Sequence, residues 1–127
     1  MSKTDSDRYS KDFSRPDEIR DFKSHGHFEV LKFDDGTTVG RGVFKPGWKW
    51  SNDVKPIVGT SSCQSPHIGI CMSGSMTIRM NSGEEFELQA GSVFDIPAGH
   101  DAWVNGNQEC VWIDVANAKS YAKKSAA

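Results

Sequence analysis

The sequence predicts an all-β, antiparallel domain, and three features predict it. From Phe28 onward, short apolar runs alternate with turns built on Gly, Asn and Pro, the pattern of a sandwich or barrel. Met76, Ile78 and Met80 alternate with Thr77 and Arg79, and Phe86 and Leu88 with Glu85, Glu87 and Gln89, so two strands each bury one face. The stretch GSVFDIPAGHDAWV at 91–104 spells strand, tight turn, strand. There Pro97 ends the ladder by lacking an N–H, Gly99 supplies the corner, and Ala102, Trp103 and Val104 resume the apolar run.

Taken in order, residues 1–13 are polar, charged and aperiodic, and are expected to form a disordered arm. Ser14, Pro16, Asp17 and Glu18 carry helix-start chemistry, which predicts a short helical turn through about Asp21. Strands are expected at 29–33, 38–44, 65–72, 75–80, 84–89, 92–96, 102–104 and 110–115. The β domain therefore spans 14–115. The link 45–64, with Trp48 and Trp50, reads as an irregular, lid-like segment. Residues 116–127 are small, basic and alanine-rich, either a frayed helix or a disordered tail.

Composition excludes several classes of function. The 127 residues carry 17 acidic and 15 basic side chains for a net charge of −2, so nothing pulls the chain toward nucleic acid or anionic lipid. Lys45, Lys49 and Lys55 are too few to turn the nearby tryptophans into a base-stacking surface. No apolar run approaches membrane-spanning length, and the polar start lacks the apolar stretch of an export signal, so a cytoplasmic location is expected. Cys63, Cys71 and Cys110 cannot all pair within one chain and are expected as reduced thiols, Cys71 and Cys110 as small buried hydrophobes.

Gly91, five residues, then Pro97-Ala98-Gly99 resembles the second motif of the cupins, small double-stranded β-helix (jelly-roll) barrels. That motif continues with two residues and a His. Ser73-Gly74-Ser75-Met76 resembles the turn that closes the first motif, His-x-His, three or four residues, Glu, six residues, Gly. The resemblance covers roughly 39–115. PGWKWSNDVKP, CQSPHIGICMSG and IPAGHDAWV are moreover similar to a subgroup of small bacterial cupins of unassigned activity. It implies a single-domain cupin barrel and a homodimer, and in most relatives a metal held by three His and one Glu. In this chain those four positions fall on Ser61, Cys63, His67 and Ala102, so the usual iron site does not carry over.

A different set is available. Cys63 and His67 share parity on an extended segment, and His100 shares parity with Ala102 and Val104, so all three can face one interior. A thiolate and two imidazoles suit a divalent metal, zinc best, with iron or nickel as alternatives and no metal at all as the other reading. In a metal-free reading Cys63 pairs with a histidine oriented by Asp101 or Asp114. The bland alternatives are a buried thiol at Cys63, a satisfied core histidine at His67, and a turn capped by Asp101.

The expected function is that of a small cytosolic cupin barrel holding a small molecule in its interior, with Trp48, Trp50, His67, His100 and Asp101 as ligand contacts. The alternative is a metal-dependent enzyme of dioxygenase or isomerase type on a small organic substrate. Small residues at Gly69 and Ala102 are expected to leave room for the ligand, and His67→Ala to abolish binding at little cost in stability. Ile68, Ile70 and Met72 point away from that interior and call for cover, a second copy being the simplest.

Overall fold

The structure, a computed structural model, describes residues 8–116, 118–119 and 121–123. Nine strands, β1 (Glu18–Asp21), β2 (Gly26–Lys32), β3 (Thr38–Phe44), β4 (His67–Ser73), β5 (Ser75–Met80), β6 (Glu85–Gln89), β7 (Val93–Ile96), β8 (His100–Val104) and β9 (Cys110–Asp114), form two antiparallel sheets. Six strands run in the order β1-β2-β3-β9-β4-β7, and three in the order β6-β5-β8. The fold is therefore all-β. The sheets are separate ladders, and the core fills the space between them. Two single bridges, Lys49 to Trp103 and Cys63 to His100, lay the 45–64 segment along the free side of β8.

Alternation explains the core. On β4, His67, Gly69 and Cys71 are buried while Ile68 and Met72 are exposed, and on β5 Met76 and Ile78 are buried between less buried neighbours. The interior is unusually aromatic. Phe22, Phe28, Phe44, Trp48, Phe94 and Trp112 are all buried, with Phe44 packed 4.5 Å from Trp48 and 5.4 Å from Trp112, ring centre to ring centre.

The N-terminal expectation fails. Glu18–Asp21 is strand β1, paired with β2 from Glu18↔Val30 to Asp21↔His27, and not a helical turn. A single helical turn gains few hydrogen bonds, whereas the open edge of β2 offers a whole row of unpaired N–H and C=O groups. The turn of helix appears later, as a 3-10 element at Lys23–His25. Within the expected arm, residues 1–7 lie outside the described residues; Lys11 bonds Asp17 at 2.7 Å and Phe13 stacks under Arg41.

The 45–64 segment is more regular than its composition implies. It carries α1 (Trp50–Asp53) and α2 (Lys55–Val58), anchored by Asp53 to His25 at 2.7 Å and by the Ser51 N–H to Asp101. Of the expected tail, residues 117, 120 and 124–127 lie outside the described residues, and within the rest Ala118, Tyr121 and Ala122 are buried. No helix among the described residues is long and apolar enough to cross a membrane.

Gly69 is not a source of free space. A Cβ there would sit 1.9 Å from the Ile113 carbonyl oxygen and 3.0 Å from the Phe94 ring. The room expected at this position is occupied by the neighbouring strand. Gly69→Ala is accordingly expected to lower stability by about 1–3 kcal/mol, because a backbone atom must move, and urea denaturation measures it.

The outer face of β4, β7 and β9 carries Ile68, Met72, Val93 and, just beyond β9, Val115, which are 46%, 55%, 76% and 54% exposed. Ile70 lies between Ile113 and Val93 in the same sheet, so these side chains form one largely apolar surface, with the exposed Asp95 opposite Ile68.

Candidate metal centre

Three backbone arrangements bring the site together. Cys63 is joined to β8 by a bridge in which its N–H donates to the His100 carbonyl at 2.8 Å, while Gly99 N–H donates to the Cys63 carbonyl at 2.7 Å. His100 opens β8 immediately after Gly99, whose φ of 92° turns the corner predicted from Pro97-Ala98-Gly99. His67 opens β4, opposite Ile96 of β7. Cys63, His67 and His100 are all buried, and their ligand atoms lie within 4.8 Å of one another.

Hydrogen bonds set the imidazoles. His67 Nδ1 lies 2.6 Å from Asp114 Oδ2, and His100 Nδ1 lies 2.9 Å from the Pro97 carbonyl. Both partners are acceptors, so each Nδ1 carries a proton and each Nε2 is the nitrogen left for coordination. His67 Nε2 is 3.7 Å from Cys63 Sγ. The rings of His67 and His100 meet edge to face at 5.3 Å. Asp114 is fully buried on β9 and also accepts the Ala116 N–H at 3.0 Å.

Burial tunes the donors. It pushes the Cys63 thiol up to about 11, helped by the charges of Asp114 and Asp101. Burial, with His67 as a second cause, brings His100 down to about 4, so its imidazole is neutral near pH 7. The stability of the metal-free protein is expected to depend on both. The lowered His100 value makes the unfolded state bind the extra proton first. Its contribution, about 3 kcal/mol, is complete above pH 6.5 and is lost as pH falls toward 4. The raised Cys63 value works the opposite way: stability is complete below pH 9 and declines as pH rises toward 11. Urea denaturation across pH tests this. A His100→Asn protein whose acid limb is as steep as that of the unaltered chain would contradict it.

The other candidate residues have packing or anchoring surroundings. Asp101 Oδ1 accepts the N–H groups of Ser51 and Ala102 at 3.1 and 2.9 Å, tying α1 to β8. Trp48 and Trp50 are buried in the core. Trp48 and Trp112 each keep an indole N–H without a hydrogen-bond partner among the described residues. Cys71 and Cys110 are buried free thiols 3.8 Å apart between β4 and β9, away from the triad.

One residue at the site, Tyr121, escaped the sequence reading, and Asp114 enters it only as one of two acids that could orient a histidine in the metal-free reading. Its parity with Cys110 and Trp112 on an apolar strand was the available signal, because an acid on an inward face needs a partner. Tyr121 gave none. Its ring packs edge-on against His67 at 5.0 Å and Phe28 at 4.8 Å.

Comparison with solved structures matches this arrangement of strands. The Drosophila melanogaster CENP-C cupin domain superposes with a TM-score of 0.57 at 16% identity, over 90% of this chain and 80% of that one. A cupin-like protein of Thermotoga maritima gives 0.50 at 22% identity, over 71% and 66%. The fold is of the cupin type. KdgF from Halomonas sp. shares it at a TM-score of 0.54 and 15% identity, over 79% of this chain and 87% of that one. No family model matches the sequence, and no curated protein does. At these identities the likeness carries the cupin fold and nothing about the centre's donors.

Proposed function

We propose that this cupin-type protein binds a divalent metal ion, zinc by preference, through Cys63, His67 and His100, and holds a small organic molecule beside it between the sheets. The observation that carries the reading is the pair of Nδ1 bonds to Asp114 and Pro97, which leaves both Nε2 atoms to a buried cluster that also contains a thiol. A thiol with two imidazoles is a zinc donor set, and three protein donors leave a fourth position for water or ligand. The Cys63 thiolate and the Asp114 carboxylate balance the two charges of the ion. The unpartnered indole N–H of Trp48 favours a ligand bearing an acceptor oxygen.

When bound, the ion would supply Lewis acidity at the fourth position. On that position rests the alternative reading, a metal-dependent enzyme of dioxygenase or isomerase type. A metal-free nucleophile is less well supported. Cys63, His67 and Asp114 do stand in line, but a thiol held near 11 contains little thiolate at neutral pH.

Elemental analysis of protein purified without an affinity tag tests the reading. One equivalent of zinc that is lost in Cys63→Ser supports it, and protein that neither retains nor takes up zinc, nickel or iron refutes it. We further infer that a second copy covers the apolar face of Ile68, Met72, Val93 and Val115. Sedimentation is expected to show twice the 14.0 kDa chain mass, and Val93→Lys to restore the single-chain value.

A further inference from the structure

We propose that Tyr121 is a tethered stopper occupying the interior slot beside the Cys63–His67–His100 centre, that Arg20 is its clasp, and that the slot is a binding site for a neutral, phenol-sized ring that competes with it. The proposal rests on the metal-and-ligand reading above and adds to it both a ligand class and a means of regulation.

The slot is defined by what surrounds the Tyr121 ring. Phe28, His67 and Phe22 meet it edge-on at 4.8, 5.0 and 6.5 Å between ring centres. The phenol is buried, and burial, followed by the charges of Cys63 and Asp114, holds its hydroxyl well above the usual tyrosine range. Two features of the surroundings favour a neutral ring over an anionic one. Asp114 already places a negative charge beside His67, and Arg20, the buried guanidinium nearby in the fold, spends its donors elsewhere.

Those donors are what hold the stopper. Arg20 projects inward from β1, with Nε bonded to Glu18 at 2.7 Å. Its Nη1 donates to the carbonyls of Ala118, at 2.7 Å, and Tyr121, and its Nη2 donates to that of Lys119 at 2.9 Å. Among the described residues, these are the polar ties that Ala118, Lys119 and Tyr121 make with the sheets, and no β-ladder reinforces them. Ala122, next to the stopper, has a φ of 55°, a left-handed conformation unfavourable for an alanine. Apart from the burial of Ala118, Tyr121 and Ala122, one arginine thus carries the attachment of a segment that fills the space against a metal-donor histidine. Segments outside the ladders open locally without global unfolding.

The three cysteines make this measurable in metal-free protein. Cys63 lies in the centre, whereas Cys71 and Cys110 lie between β4 and β9 and report general opening of the fold. Iodoacetamide modification of each thiol is followed by mass spectrometry in the full chain. Arg20→Gln is expected to speed Cys63 modification about tenfold or more while Cys71 and Cys110 keep their rates. Tyr121→Ala, which removes the stopper and leaves the clasp, is expected to do the same. Adding 4-methylphenol to Arg20→Gln is expected to slow Cys63 again, and 4-methylbenzoate, its anionic counterpart, to have no effect. An unchanged Cys63 rate in both variants overturns the stopper, as does equal acceleration of all three cysteines. Failure of 4-methylphenol to protect overturns the ligand class. Metal content plays no part in these rates, so a protein that binds no zinc but passes this test would refute the metal reading alone.

Discussion

Replacing His67 by Ala is expected to cost about 3–5 kcal/mol of folding stability as well as to abolish zinc binding. The loss of metal follows from removing one of three donors. The loss of stability follows from Asp114, a fully buried carboxylate whose Oδ2 lies 2.6 Å from His67 Nδ1. Without the imidazole, Ala116 N–H still bonds Oδ1, but Oδ2 loses its 2.6 Å bond to Nδ1 in a fully buried place. That cost is a large share of the roughly 5–15 kcal/mol that a domain of this size possesses. His67→Gln separates the two effects, since an amide N–H can donate to Asp114 without replacing a zinc-binding imidazole. It is expected to keep most of the stability and none of the zinc. Urea denaturation and zinc titration of both variants give the measurement. A His67→Ala protein within about 1 kcal/mol of the unaltered chain would show that Asp114 does not depend on His67. The sequence reading expected little cost here, because the partner of His67 lies 47 positions away on another strand.

The second large effect is on metal affinity. Cys63→Ser is expected to weaken zinc binding by at least about 100-fold, the upper range for losing a mere outer partner of a ligand. It should also change the response to pH. Zinc binds thiolate, and a thiol held near 11 must release its proton first. Near neutral pH, affinity therefore rises about tenfold per pH unit on account of Cys63 alone. His100, brought down to about 4, adds no such dependence there. Calorimetry in buffers of differing ionisation enthalpy should show one fewer proton released per zinc in Cys63→Ser than in the unaltered chain. Equal proton release in both proteins would remove Cys63 from the donor set.

Two strands were read to the residue. The boundaries expected at 75–80 coincide with β5, since alternation marks a half-buried strand without reference to its neighbours, and those at 38–44 coincide with β3, which lies between the Asp34-Asp35-Gly36 and Pro46-Gly47 turns. The Pro97-Ala98-Gly99 corner was equally legible, because the ring of Pro97 and the positive φ of Gly99 act within a few residues. The β1 segment misled for the converse reason. Ser14, Pro16 and Asp17 express a local helix preference, and the edge of β2 overrode it.

By itself, the sequence determined the all-β class, the turn that delivers His100, and the shared facing of Cys63 and His67. These depend on backbone periodicity and on residues with restricted φ, both properties of short stretches of chain. Only the tertiary structure decided that Asp114 stands behind His67, that the Cys63 backbone is bridged to His100, and that Tyr121, held by Arg20, fills the space beside them. Each is a meeting of segments tens of residues apart, selected by strand order and by the need to partner buried charge and fill space between two sheets. No local propensity encodes such a meeting.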